Sequence, residues 1–181
     1  MGLFLVEVEL AEPGREAATT VIDAVAGSFA TSGGTLVEAQ VPAGHERVYL
    51  ILEGDECAGV VLDAAELPGA ASVTETVPVR IVGATVEQVR ERGAAAGYLV
   101  EWDIPAEVTM EQYLARKKEK SPLYDTVDDV AFLRTYVRED TQKCLCFYDA
   151  ESEAAVRHAR EVVSTPISRL HALDAQPVTT S

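Results

Sequence analysis

The segment Leu5-Val6-Glu7-Val8-Glu9-Leu10 returns later in the chain as Leu99-Val100-Glu101-Trp102-Asp103-Ile104. Arg47-Val48-Tyr49-Leu50-Ile51-Leu52-Glu53-Gly54 returns at nearly the same spacing as Lys143-Cys144-Leu145-Cys146-Phe147-Tyr148-Asp149-Ala150, and Ala58 and Val60 then match Ala154 and Val156. Ordered matches at nearly one spacing predict a duplicated unit of about 80 to 90 residues. That repeat constrains the fold more than any local motif. A length of 181 residues and a hydrophobic share of 48% suit either one ordinary packed domain or two small ones.

Each unit predicts the order β-α-β-β-α-β. In the first, Leu3–Leu10 alternates as a strand does and ends before Pro13. Val21, Ala24, Val25 and Phe29 are spaced as on a helix over Ala17–Phe29, stopped by Ser32-Gly33-Gly34. Leu36–Val41 and Arg47–Glu53 form a hairpin through Pro42-Ala43-Gly44-His45. Asp55 can cap a helix to about Leu67, and Ser72–Val82 is a long last strand. The second unit runs through strand Tyr98–Ile104 and a helix capped by Thr109, with Gln112 completing a capping box. Pro122 breaks that helix. A hairpin Val130–Arg138/Lys143–Asp149 follows, then a helix from Ser152 to about Val163 and a strand Ile167–Leu173.

That order is the ferredoxin-like split β-α-β, a four-stranded antiparallel sheet with helices on one face. The fold class expected is therefore α+β: two tandem ferredoxin-like units packed sheet to sheet as a pseudo-dimeric αβ sandwich or barrel, so that each bare sheet face is buried. The boundaries expected are residues 1–84 for the first unit, 85–96 for a helical linker, 97–175 for the second unit and 176–181 for a flexible tail.

With 15 basic against 30 acidic residues and a net charge of −15, the chain is expected to avoid nucleic acid and anionic membranes. No stretch approaches the roughly 20 apolar residues of a membrane helix. The opening Met1–Glu7 meets an acid too early for a signal peptide, so a cytoplasmic protein is expected. Three cysteines, Cys57, Cys144 and Cys146, argue against a disulfide framework. One basic run, Arg116-Lys117-Lys118-Glu119-Lys120, is either a solvated helix face or an anion site or acidic-partner contact.

Alternation sorts the candidate residues by face. Tyr98, Val100, Trp102 and Ile104 are expected under the helices, with Leu99, Glu101 and Asp103 opposite. Glu7 and Glu101 would then approach the inter-unit space, with Arg134 a plausible partner for Glu101. Cys144, Cys146 and Tyr148 share one face of a strand whose other face, Leu145 and Phe147, is also apolar. They are read as small core residues or as sulfur ligands needing help from elsewhere. Polar candidates gather in the second unit, whereas Leu50 and Leu52 hold the matching positions of the first. Any ligand is expected to contact the second unit predominantly.

Three passages carry a resemblance: Tyr98-Leu99-Val100-Glu101-Trp102-Asp103-Ile104-Pro105, Phe132-Leu133-Arg134-Thr135-Tyr136-Val137, and Cys144–Ala150 with Ala155-Val156-Arg157-His158-Ala159. On these the C-terminal unit resembles a bacterial family of small ferredoxin-like proteins, formerly of unknown function, that includes a nickel-binding protein. Glu101, Tyr136, Cys146, Tyr148 and Pro166 fall on family positions. Arg134 stands where the family has His, and His158 comes one residue early. The resemblance implies a divalent metal, nickel, with Cys146, His158 and Glu101 as metal candidates. The expected function is thus metal or small-ligand binding. One alternative is a cofactor-independent enzyme acting on a small organic molecule in the inter-unit cavity. Glu101 would be its acid/base, Tyr136 or Tyr148 a hydrogen-bond donor, and Arg134 an anion clamp. A purely structural or interaction protein is the other, with oligomerisation beyond the intrachain pseudo-dimer open.

Overall fold

A computed structural model describes residues 1–55 and 60–174. The chain divides into two compact units. One holds Met1–Arg80, Thr85–Ala95 and, further along the chain, Leu173 and Asp174; the other holds Ile81–Ala84 and Ala96–Ala172.

In the first unit the alternating Gly2–Leu10 forms β1 and the periodic Arg15–Ala30 forms α1. Strands β2 (Thr35–Gln40) and β3 (Arg47–Gly54) make the expected hairpin. Strand β4 (Ala70–Val73) and strand β5 (Val77–Val82) both pair antiparallel with β1, at opposite ends of it. Helix α1 lays Val21, Ile22, Val25 and Phe29, all fully buried, on Val6, Val8, Val48 and Leu50 of the sheet. Each such side chain contributes about 1.5–3 kcal/mol by leaving water.

Two expectations for this unit change. The single strand over Ser72–Val82 is broken at residues 74–76, because Thr74 replaces the ladder with a local exchange. Its amide donates to the Glu7 carbonyl at 2.9 Å, and its hydroxyl accepts from the Glu7 amide at 3.0 Å. The helix expected from Asp55 to Leu67 lies partly outside the described residues, at residues 56–59. Its described part holds only a 3-10 turn, Ala64–Glu66, capped by the Asp63 side chain on the Ala65 amide. Pro68 disfavours α conformation in the residue before it, and Asp55 instead holds the Met1 amino group at 2.8 Å.

A capping box at Thr85 and Gln88 starts α2 (Val86–Arg92), shorter than the helical linker expected over 85–96. The second unit then runs β6 (Tyr98–Asp103), α3 (Met110–Lys120), a 3-10 segment Ser121–Thr126, β7 (Val130–Arg138), β8 (Lys143–Ala150), α4 (Glu153–Val162) and β9 (Arg169–Ala172). Its order, β7-β8-β6-β9, is that of β2-β3-β1-β4 in the first unit. Even a register irregularity recurs, between Leu36 and Glu38 of β2 and between Phe132 and Arg134 of β7. Val100, Trp102, Ile104, Cys144, Cys146 and Tyr148 form a core with Tyr113, Val156 and Ala159. No helix among the described residues is long and apolar enough to cross a membrane.

Candidate functional site

Residues directly opposite in an antiparallel pair share a sheet face. The register therefore places Tyr136, Leu145, Glu101 and Arg169 in one row, and Arg134, Phe147, Leu99 and His171 in the next. On the other face lie Thr135, Cys146, Val100 and Leu170, and beside them Phe132, Tyr148 and Tyr98. Of the residues expected to act together, Glu101, Tyr136 and Arg134 share a face. Tyr148 and Cys146 face the opposite way, with the backbone of the sheet between them and Glu101.

Glu101 is fully buried. Its Oε1 receives Lys143 Nζ at 2.9 Å; its Oε2 lies 2.9 Å from Arg169 Nε and 2.8 Å from His171 Nε2. Arg169 turns its other two nitrogens to Asp103 at 2.9 and 2.7 Å. Burial pushes the Glu101 carboxyl up. The His171 hydrogen bond and the charges of Lys143 and Arg169 outweigh it and hold the group well below the usual carboxylate range. Three donors converge on this one carboxylate, the geometry of an ion-pair hub. Arg134, on the same face as Glu101, lies over the Phe147 ring at 5.0 Å. Lys143, Arg169 and His171 lie on β8 and β9, and only cross-strand register could have named them.

The helix-side face holds a different cluster. Cys144 Sγ and Cys146 Sγ are 3.8 Å apart and buried. Around Cys146 Sγ stand the Thr135 hydroxyl at 3.2 Å, Lys117 Nζ at 3.6 Å and Arg160 Nη1 at 3.6 Å, each donating to sulfur. Lys117 also donates to Thr135 Oγ1 at 3.0 Å and lies 4.7 Å above the Phe132 ring. Arg160, 1% exposed, donates further to Tyr148 Oη at 3.2 Å and to the Pro166 carbonyl. Tyr148 in turn bonds the Tyr124 hydroxyl at 2.7 Å. The Cys144 hydrogen bond, Lys117, Arg160 and Thr135 together hold the Cys146 thiol well below its usual range against the opposing effect of burial. Burial, then the hydrogen bond and charge of Cys146, push Cys144 up. Lys117 belongs to the basic run singled out in the sequence; Arg160 and Thr135 carried no such signal.

Beside this cluster, between α3, the 3-10 segment and the end of α4, opens a narrow cleft of about 20 Å³, room for one water-sized group. Trp102, Tyr113 and Tyr124 form its aromatic wall, and Arg116, Lys117 and Lys120 its cations; among the described residues no Asp or Glu lines it. The buried Arg116 Nε has no hydrogen-bond partner, and neither does the Tyr113 hydroxyl apart from the neighbouring Cys144 thiol, a weak one.

The metal candidates do not converge. Glu101 lies across the sheet from Cys146, and His158 is exposed on α4, whose inward residues are Ala155, Val156, Ala159 and Arg160. The inward place beside Cys146 is taken by a cation, Arg160. Among the described residues no three His, Cys, Asp or Glu side chains group so as to hold a metal ion. A nickel ion does not fit the donors present.

The fold and cluster define a ferredoxin-like α+β protein with a buried thiol-cation site in its second unit. The family model described as "Nickel responsive protein SCO4226-like" matches residues 98–173, the region whose residues carried the resemblance. No curated protein matches the chain. Among solved structures, a candidate chlorite dismutase is similar at 12% identity, with 97% of this chain and 96% of that chain covered and a TM-score of 0.57. A candidate monooxygenase from Fusobacterium nucleatum aligns at 11% identity over 98% of this chain and 92% of that one, with a TM-score of 0.47. The first similarity shows the fold.

Proposed function

We propose that this is a small-ligand-binding protein whose second unit takes the head of a small anion in the cleft beside α3. The observation that carries the reading is the pair of buried donors, Arg116 Nε and Tyr113 Oη, on a cleft lined by three cations and, among the described residues, no carboxylate. In a chain with twice as many acids as bases, such a lining is a departure from the surrounding surface. Buried donors without good partners cost about 1–3 kcal/mol each, and an oxyanion would satisfy both. The cleft's small volume admits one oxygen of a carboxylate or inorganic oxyanion, with the rest of the head at its mouth, rather than a large ligand. The family's description names nickel, but the residues present favour the small-ligand half of the metal-or-ligand expectation, and no step here requires a metal.

Calorimetric titration with acetate, phosphate and sulfate at constant ionic strength tests this. At least one is expected to bind, and Arg116→Gln and Lys120→Gln are each expected to weaken it about 10-fold or more, the worth of a charged hydrogen bond. No heat from any of the three anions, or variants that bind as well as the parent, would overturn the reading.

A further inference from the structure

Lys117 serves two places at once. It lines the anion cleft, yet its ammonium is engaged on the sheet side. Nζ donates to Thr135 Oγ1 at 3.0 Å and to Cys146 Sγ at 3.6 Å, and lies 4.7 Å from the centre of the Phe132 ring. An ammonium has three N–H donors, so two of them are already taken. Cys146 does not itself line the cleft. It is the acceptor on which Lys117, Arg160 Nη1 at 3.6 Å and the Thr135 hydroxyl at 3.2 Å converge. Tyr124, a wall residue of the same cleft, begins a second line of contacts to that sulfur. It bonds Tyr148 at 2.7 Å, and Tyr148 accepts from Arg160 at 3.2 Å.

This sharing makes the sulfur and a bound anion rivals for one cation. The Cys144 hydrogen bond, Lys117, Arg160 and Thr135 favour the charged form of the Cys146 thiol against burial, so the group that Lys117 serves carries negative character of its own. An anion in the cleft gains Lys117 only by drawing its ammonium away from Cys146 and Thr135. Two negative groups on either side of one ammonium also repel each other at short range. Each therefore weakens the hold of the other by the same factor, as linked equilibria require. Arg116 Nε, which has no partner, has no such prior engagement. The cleft thus offers one free donor and one that is held back.

We infer that Cys146 is a positioning residue for the anion cleft: it holds Lys117 back, and the buried sulfur thereby tunes how tightly the cleft binds. This role rests on the anion reading of the cleft and names the group that regulates it.

The test is calorimetric titration of the reduced full chain with phosphate, sulfate and acetate at constant ionic strength. It compares the parent with Cys146→Ser, Lys117→Met and the double variant. Cys146→Ser nearly keeps the size of the side chain and gives up its charge. It should bind the anion about 5-fold more tightly, the lower end of couplings between linked sites, whereas damage to a merely structural residue would weaken binding. In the Lys117→Met background the same substitution should change affinity by less than about 2-fold, as for uncoupled positions. Circular dichroism melting shows which variants are folded, and Cys146→Ala replaces Cys146→Ser where that one is not. The Lys117 ammonium signal in nitrogen-resolved NMR of the parent needs no substitution at Cys146 and should shift in a saturable way with the anion. Failure of the parent to bind any of the three anions overturns the cleft reading and this role with it. Where the parent binds, three results overturn the role of Cys146 alone: equal or weaker binding by a folded Cys146 variant, equal tightening with Lys117 absent, or a Lys117 signal that ignores the anion.

Discussion

Replacing Glu101 by Gln keeps the shape of the side chain and removes its charge. Three positive or potentially positive groups then lose their common acceptor: Lys143, Arg169 and His171, whose side chains are 13%, 43% and 23% exposed. Removing one partner of a buried ion pair costs about 3–5 kcal/mol. Arg169 keeps Asp103 and can reach water, which places the loss near the low end, about 3 kcal/mol. For a chain of this size that is a fall in melting temperature of about 6–12 °C. The sign of the pH dependence is fixed. The folded carboxyl is held below its ordinary 4.5, so its contribution is complete above pH 4.5. It is lost only as pH falls from there toward the depressed folded value. At pH 3 the gap between parent and Glu101→Gln should be narrower than at pH 7 by about 2 kcal/mol, since each unit below the ordinary value removes about 1.4 kcal/mol. Denaturant unfolding followed by Trp102, the single tryptophan and a core residue of the same unit, measures both numbers. A loss under about 1 kcal/mol at pH 7, or a gap unchanged at pH 3, would refute the ion-pair hub.

Thr109→Ala removes the capping box at the start of α3 and should cost about 1 kcal/mol, read from the same Trp102 transition. Gly83→Ala should cost about 1–3 kcal/mol, because Gly83 sits at φ +89° and an added Cβ would lie 2.7 Å from Phe132 Cε1; thermal melting checks it. Phe29→Ala in the first unit's core should cost about 3–5 kcal/mol. Val61→Ala, at a position 91% exposed, should change stability by less than about 0.5 kcal/mol. Comparable melting shifts for these two would contradict the assigned core.

Elements written into local pattern were legible. Thr109 and Gln112 announce their capping box, and the alternation of Cys144, Cys146 and Tyr148 against Leu145 and Phe147 announces a strand buried on both faces. What alternation cannot see is a bulge. Phe132 and Arg134 are two residues apart and so should share a face, but the register shift between them sends Phe132 to the helix side with Tyr148 and Arg134 to the other side with Phe147. Tyr136 and Tyr148, considered together as hydrogen-bond donors, are parted in the same way. The choice of Lys143, Arg169 and His171 for Glu101 was equally invisible, because it depends on which strands flank β6. The broken strand at Thr74 arises from its amide and hydroxyl bonding the Glu7 backbone, a competition that hydrophobic periodicity does not register.

The central claim is that the cleft of the second unit receives an anion on its poorly satisfied donors, Arg116 Nε and Tyr113 Oη. The most direct measurement is the arginine side-chain Nε–H spectrum of the labelled protein, titrated with phosphate and with acetate at fixed ionic strength. Arg116 and Arg160 both have a buried Nε without a partner, but only Arg116 lines the cleft. The Arg116 signal should shift in a saturable way and exchange more slowly with water, while Arg160 stays in place. An Arg116 signal that does not respond to either anion, or equal drift of both arginines with salt, would contradict the account.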